Sequence, residues 1–141
     1  MSVTYAREQT LSVSDFRAVL ANVSTGLKRP LDDTARLQAM LDNANFIVTA
    51  RTEAGEIVGL ARCMTDFAWT CYCAELAVHD AHQGKGIGTG LIRKCRELLG
   101  PQVSFNLTSV PSAASFYEHV GPHLGMARVA NAFWINREKG A

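Results

Sequence analysis

The stretch His79–Cys95, HDAHQGKGIGTGLIRKC, decides how the rest of the chain is read. Glycines fall at every second position from Gly84 to Gly90, directly after a run that reads as a strand and directly before one that reads as a helix. Glycine is costly inside regular elements, so this density marks a backbone with unusual dihedrals or one that a ligand approaches closely. A P-loop needs GxxxxGK followed by Ser or Thr, and no glycine stands at the required distance before Gly84-Lys85. A dinucleotide fingerprint needs GxGxxG, yet the sixth position counted from Gly84, Gly86 or Gly88 is Thr89, Leu91 or Arg93.

Outward from the loop, the elements alternate. Val3 to Arg7 reads as a short strand. SVSDFRAVLANV (12–23) places Phe16, Val19, Leu20 and Val23 on one helical face, with Ser12 or Ser14 as cap. TGLKRP breaks that helix, and DDTARLQAMLDNA (32–44) restarts one with Asp32 or Asp33 at its head and a stripe of Leu37, Met40, Leu41 and Ala44. FIVTARTEAGEIVGLARCM (46–64) reads as a hairpin about Glu53-Ala54-Gly55-Glu56, and WTCYCAELAVH (69–79) as a strand apolar enough to lie centrally. Ile87, Leu91, Cys95 and Leu98 recur at helical spacing until Gly100-Pro101. VSFNLTSV (103–110) predicts another strand, Ser112 a cap for a short helix through Tyr117, and AFWIN (132–136) a last strand. With no repeat, low-complexity stretch or linker, residues 1–141 read as a single α/β domain, a central sheet with helices on its faces.

The chain has 141 residues, is 48% hydrophobic and carries a net charge of only +1, which argues against nucleic acid or a membrane surface as partner. No basic, apolar leader and no spanning apolar run is evident, so a cytoplasmic location is expected. Cys63, Cys71, Cys73 and Cys95 lack CxxC spacing and read as reduced packing residues, Cys71 and Cys73 sharing one strand face. His79 and His82 form an HxxH with no further ligand close in sequence, so no metal is expected.

A third glycine pattern, Gln/Arg-x-x-Gly-x-Gly/Ala, is met by Gln83, Gly86 and Gly88. Here the sequence resembles the GCN5-related N-acetyltransferase (GNAT) family, through AELAVHDAHQGKGIGTGLI (74–92) and the later SAASFYEHVG (112–121). The order of elements matches as well, across nearly the whole chain. The resemblance implies a mixed, mostly antiparallel sheet splayed between its fourth and fifth strands. It implies acetyl-CoA as co-substrate, its pyrophosphate held by Gln83, Gly84, Lys85, Gly86, Ile87, Gly88 and Thr89. Free N–H groups and a partial positive charge at a helix start suit such an anion. The backbone of Leu76, Ala77 and Val78 is expected to hold the thioester oxygen and the pantetheine amides. There are two departures. Val110 stands where the family often has an asparagine that contacts the pantetheine arm, and EHVGPHLGM (118–126) replaces a short Leu-Gly-Phe close, implying an insertion or a shifted register.

Acetyl transfer to an amine needs a deprotonated amine, a stabilised oxyanion and a proton for the leaving thiolate. By resemblance, Glu75 draws the proton from the amine, often through water, and Tyr117 protonates the CoA sulfur. Direct attack in a ternary complex is the expected mechanism, rather than a covalent route through Cys71 or Cys73. The acceptor is a small-molecule or peptide amine, walled by the segment from Asn22 to Asp33, with Phe67, Trp69 and Tyr72 as further aromatic surface. A homodimer is compatible with this reading. A catalytic N-acetyltransferase and a non-catalytic acetyl-CoA-binding sensor or docking module both fit the pattern.

Overall fold

The computed structural model describes residues 2–138. A five-stranded sheet runs in chain order: β1 (Val3–Glu8), β2 (Phe46–Thr52), β3 (Ile57–Thr65), β4 (Thr70–Val78) and β5 (Ser104–Leu107). The first three pairings are antiparallel and β4–β5 is parallel, the crossover being helix α3 (Ile87–Leu99). Helices α1 (Val13–Leu20) and α2 (Thr34–Asp42) precede β2, and α4 (Ala114–Leu124) follows β5.

Each face of the sheet carries its own core. On one side Phe46, Val48, Val58, Cys63, Cys71 and Cys73 pack against Ile87, Leu91, Cys95 and Leu99 of α3. On the other, Ile47, Ile57, Leu60 and Ala77 pack against Phe16, Val19, Leu20, Leu37 and Leu41 of α1 and α2. The caps follow the sequence, Ser12 accepting from the Asp15 N–H and Asp33 from the Arg36 N–H, each at 3.0 Å. The hairpin turns where Gly55, at φ +85°, closes Thr52 onto Glu56. Across β1, β2 and α1, the Arg51 guanidinium bridges Glu8 and Asp15.

Four expectations change. Leu98 is exposed and Leu99 buried, because the inward row of α3 advances by four residues from Ile87 through Leu91 and Cys95. Ser112 does not cap α4; its hydroxyl donates to the Thr25 carbonyl instead. α4 does not stop near Tyr117 but continues through Pro122 to Leu124 and ends at Gly125 in the left-handed region. Ala132–Asn136 forms no strand, leaving Phe133 94% and Ile135 98% exposed. Strand propensity expresses fit to a half-buried pleated surface, and these residues lie on none.

The feature that shapes everything near the loop is a bulge in β4. Glu75 opposes Arg62 and Cys73 opposes Cys63, so Ala74 is an extra residue on its strand. Cys71 and Cys73 therefore face α3, whereas Ala77 faces the α1–α2 side together with the Arg62–Glu75 pair. Parallel pairing with β5 stops at Cys73↔Leu107, and beyond it the two strands separate. No helix among the described residues is long and apolar enough to cross a membrane.

Gly90 supplies a test of this packing. A Cβ there would lie 2.3 Å from the Tyr5 ring, so Tyr5 must swing away to admit it. Helix propensity alone makes Gly→Ala inside a helix stabilising by about 0.5–1 kcal/mol. We expect Gly90→Ala to lower the thermal midpoint of the native chain and to raise it in a Tyr5→Ala background; a gain in both backgrounds would refute the contact.

Candidate active site

The chain leaves β4 at Val78, makes one 3-10 turn over Asp80–His82 and enters α3 through the glycines. Gly84 and Gly86 have φ of +75° and +77°, a region that side chains strain, and a Cβ on either would meet nothing within 4 Å. Space is therefore open above the loop. The first intrahelical bond runs from Gly90 N–H to the Gly86 carbonyl at 3.0 Å, and no side chain caps the helix. The N–H groups of Ile87, Gly88 and Thr89 thus stand at the positive end of a helix dipole with no intrahelical partner. Lys85 is exposed beside them. Gln83 braces the loop, its amide donating to the Val78 carbonyl at 3.2 Å and to Asp80 at 3.1 Å. An anion bound by backbone is what this cradle suits.

The other two glycines answer to packing. A Cβ on Gly88 would lie 2.9 Å from Phe116, and one on Gly90 would strike Tyr5. The spacing that suggested a wholly ligand-facing loop is thus shared between a cradle and two internal contacts.

Where β4 and β5 part, a narrow cavity of about 40 Å³ opens, lined by Cys73, Ala74 and Leu76 on one side, Leu107–Val110 and Tyr117 on the other, and Thr25 and Leu27 above. That is room for about two or three waters. Val110 does line it, with a hydrogen bond from the Ser109 hydroxyl to its carbonyl at 2.7 Å. Burial, with a smaller contribution from charge on Cys73, pushes the Tyr117 phenol well above its ordinary value, so it stays protonated. Its ring meets Phe116 edge-on at 5.0 Å, which couples it to Gly88 at the start of α3.

Glu75 sits differently from what the sequence suggests. Its side chain has 0% exposure, and its oxygens accept from the Arg62 guanidinium and, at 2.9 Å, from Arg29 Nε. Arg29 also donates to the Ala74 carbonyl at 2.8 Å, reaching the bulge itself. Sequence reasoning passed over both arginines. The signal was there: Arg62 and Glu75 are single charges of opposite sign in two adjacent apolar runs.

Through Arg29 the segment between α1 and α2 is tied down across the splay. The Asp80 N–H donates to the Asn22 carbonyl at 2.8 Å, Asp80 accepts from the Ser24 N–H at 3.2 Å, and Ser112 holds Thr25. Asp33 is a helix cap. Phe67 meets Phe46 edge-on and lies under Arg7, and Trp69 lines a separate groove with Arg96 and Pro101 at the other end of β4. Neither they nor Tyr72 lines the cavity. His79 and His82 serve the turn: His79 Nδ1 accepts from the Ala81 N–H at 3.1 Å, and the two rings meet edge-on.

A family model described as an acetyltransferase (GNAT) domain matches residues 42–121. Among solved structures, one described as an acetyltransferase from Deinococcus radiodurans R1 is 25% identical, with a TM-score of 0.71 over 96% of this chain and 88% of that one. A ribosomal-protein-alanine N-acetyltransferase from Brucella melitensis biovar Abortus 2308 is 24% identical, with a TM-score of 0.69 over 97% and 100%. AAC(6')-Iy, solved with the bisubstrate analogue CoA-S-monomethyl-acetylneamine, is 11% identical, with a TM-score of 0.70 over 98% and 99%.

Breaking a buried ion pair by removing one partner costs about 3–5 kcal/mol, because the remaining charge is left uncompensated. Glu75→Gln is accordingly expected to lower the urea midpoint by an amount corresponding to about 3 kcal/mol or more. Unchanged stability would show that the two guanidiniums do not depend on Glu75.

Proposed function

The chain belongs to the GNAT acetyltransferase family, and on that footing we propose that it transfers the acetyl group of acetyl-CoA to a primary amine by direct attack in a ternary complex. The observation that carries the reading is the uncapped start of α3, open above Gly84 and Gly86, set beside a splay whose wall holds a protonated tyrosine.

The pyrophosphate fits the backbone of Gly84 to Thr89, with Gln83 bracing the loop and Lys85 adding charge. The unpaired β4 edge from Leu76 to Val78 offers backbone groups to the pantetheine arm and the thioester oxygen. Acetyl-CoA supplies an activated acyl group with a thiol as leaving group. Tyr117, kept protonated by burial, donates to the departing sulfur. Glu75 enters as a positioning residue: with both oxygens engaged by arginines it holds the bulge and Arg29, and through Arg29 the acceptor wall. The amine proton then passes to water. Neighbouring folds include enzymes whose descriptions name a ribosomal-protein alanine and an acetylneamine analogue, so both peptide and aminoglycoside amines belong in the acceptor screen. The engaged state of Glu75 also favours a second reading, an acetyl-CoA-binding module without turnover.

A thermal-shift comparison of acetyl-CoA, CoA, NAD and ATP tests the cradle. A ligand at 100 times its Kd adds about 2.7 kcal/mol, a rise of several degrees, and stabilisation is expected from the two CoA species alone. Release of CoA thiol across a panel of amines separates enzyme from binding module, since tight binding with no turnover on any acceptor favours the module. Tyr117→Phe is expected to lower kcat by about 10²-fold at nearly unchanged acetyl-CoA affinity. An unaltered kcat would remove the acid role.

Since the Tyr117 pKa is raised, its acid form persists beyond the usual phenol value of about 10. With an α-amine acceptor, kcat/KM should rise to a plateau set by the amine, above a pH of about 8, with no fall near 10. A descending limb at lower pH would contradict the buried acid.

A further inference from the structure

The four cysteines are free, buried and gathered on the α3 side of the sheet: Cys63 on β3, Cys71 and Cys73 on β4, Cys95 on α3. They pack in one cluster. The neighbouring thiols of Cys71, Cys73 and Cys95 push the Cys63 thiol far up, while Cys63 draws Cys71 down. The β3–β4 register makes Cys63 and Cys73 direct Cα partners on one face. Residues so opposed in an antiparallel pair lie about 4.5–5.5 Å apart at Cα, within the roughly 4.4–6.8 Å that a disulfide spans.

Of the four, Cys73 alone lines the cavity. It is the last β4 residue paired with β5, at the crotch of the splay, and its thiol donates to the Glu75 carbonyl at 3.2 Å. Tyr117 lines the same cavity from the opposite side, and charge on Cys73 helps to raise its phenol. A sulfur delivered to Tyr117 is thereby delivered to a thiol that has a second thiol directly behind it.

Resting on the reading that CoA sulfur arrives beside Tyr117, we propose that Cys73 is a thiol–disulfide exchange site for CoA disulfide, with Cys63 as the resolving thiol. The Cys73 sulfur attacks one sulfur of CoA disulfide, the S–S bond breaks, and one CoA leaves as the thiol with the Cys73 proton. The protein now carries a Cys73–CoA mixed disulfide. Cys63 attacks the Cys73 sulfur, the second CoA departs with the Cys63 proton, and a Cys63–Cys73 disulfide remains. Two protein thiols are oxidised and CoA disulfide is reduced to two CoA thiols, with no other oxidant. The attacking species is the thiolate. Because its neighbours hold Cys63 protonated, resolution speeds up as pH rises. Burial restricts the reaction to a disulfide that enters through the cavity, which makes the site selective for the co-substrate's own oxidised form. While the cap is in place the cavity is filled and acetyl transfer is blocked.

The test incubates the full chain with CoA disulfide, follows free CoA thiol, and reads intact mass after acid quenching. The wild type should first gain one CoA, then lose it to an internal disulfide as a second equivalent of thiol appears. Cys63→Ala should stop at a stable adduct after one equivalent, and Cys71→Ala should behave as wild type. Peptide mapping of the Cys63→Ala adduct locates the modified cysteine without a Cys73 variant that has to fold. No adduct on a chain that binds CoA in the thermal-shift assay, an adduct mapped to another cysteine, or a wild-type adduct that never resolves would each overturn the proposal. The first of these leaves the acetyltransferase reading standing, whereas failure to bind CoA at all removes both.

Discussion

One extra residue in β4 governs the region where chemistry is proposed. Had the strand kept strict alternation, Glu75 would share a face with Cys71 and Cys73 and lie in the sulfur-rich core under α3, where an unpaired carboxylate costs several kcal/mol. The bulge at Ala74 turns it to the opposite face, directly across from Arg62. It also exposes the Ala74 carbonyl, which Arg29 covers while completing the shell around Glu75. Pairing with β5 ends one residue earlier, at Cys73, and the gap that follows is the cavity. A buried ion cluster and an open cleft are thus two results of the same local irregularity, which accords with the tendency of bulges to sit beside functional sites.

The glycine loop divides its work in a comparable way. Gly84 and Gly86 take left-handed dihedrals and leave open space, so they serve the backbone cradle; Gly88 and Gly90 let Phe116 and Tyr5 approach α3. Because Phe116 in turn packs against Tyr117, the residue that sets the helix N-terminus against α4 also fixes the ring of the proposed acid. A side chain introduced at Gly88 therefore disturbs both the start of α3 and the Tyr117 ring through one contact.

Much of this was legible in the sequence, and the limits have physical causes. Helical periodicity found α1, α2 and α3, with candidate caps for the first two, and the apolar runs found β2, β3 and β4, since burial of one face leaves a regular trace. The unusual backbone of the loop was legible because positive φ at Gly84 and Gly86 depends on residue identity. The bulge was not, because it arises from the register between two strands and changes no residue type. With it went the partners of Glu75: two arginines distant in sequence that only the bulged register brings together. The reach of α4 beyond Pro122 and the unpaired AFWIN segment failed for another reason, since propensity describes a preference that packing must complete.

The cleft between β4 and β5 is polar but uncharged. Its lining offers hydroxyls from Thr25, Thr108, Ser109 and Tyr117 and one thiol, with no charged side chain. The nearest carboxylate in the strand is turned away and neutralised by two guanidiniums. Such a cleft favours neutral forms of whatever enters: an amine that has already lost its proton, and a phenol that has kept its own. Positive character lies instead at the uncapped start of α3, beside the exposed Lys85, where the proposed phosphate would sit. The proposed anion cradle and the proposed acyl-transfer cleft thereby differ in dielectric setting, one exposed and cationic, the other narrow and uncharged, and the bulged strand leads from one to the other.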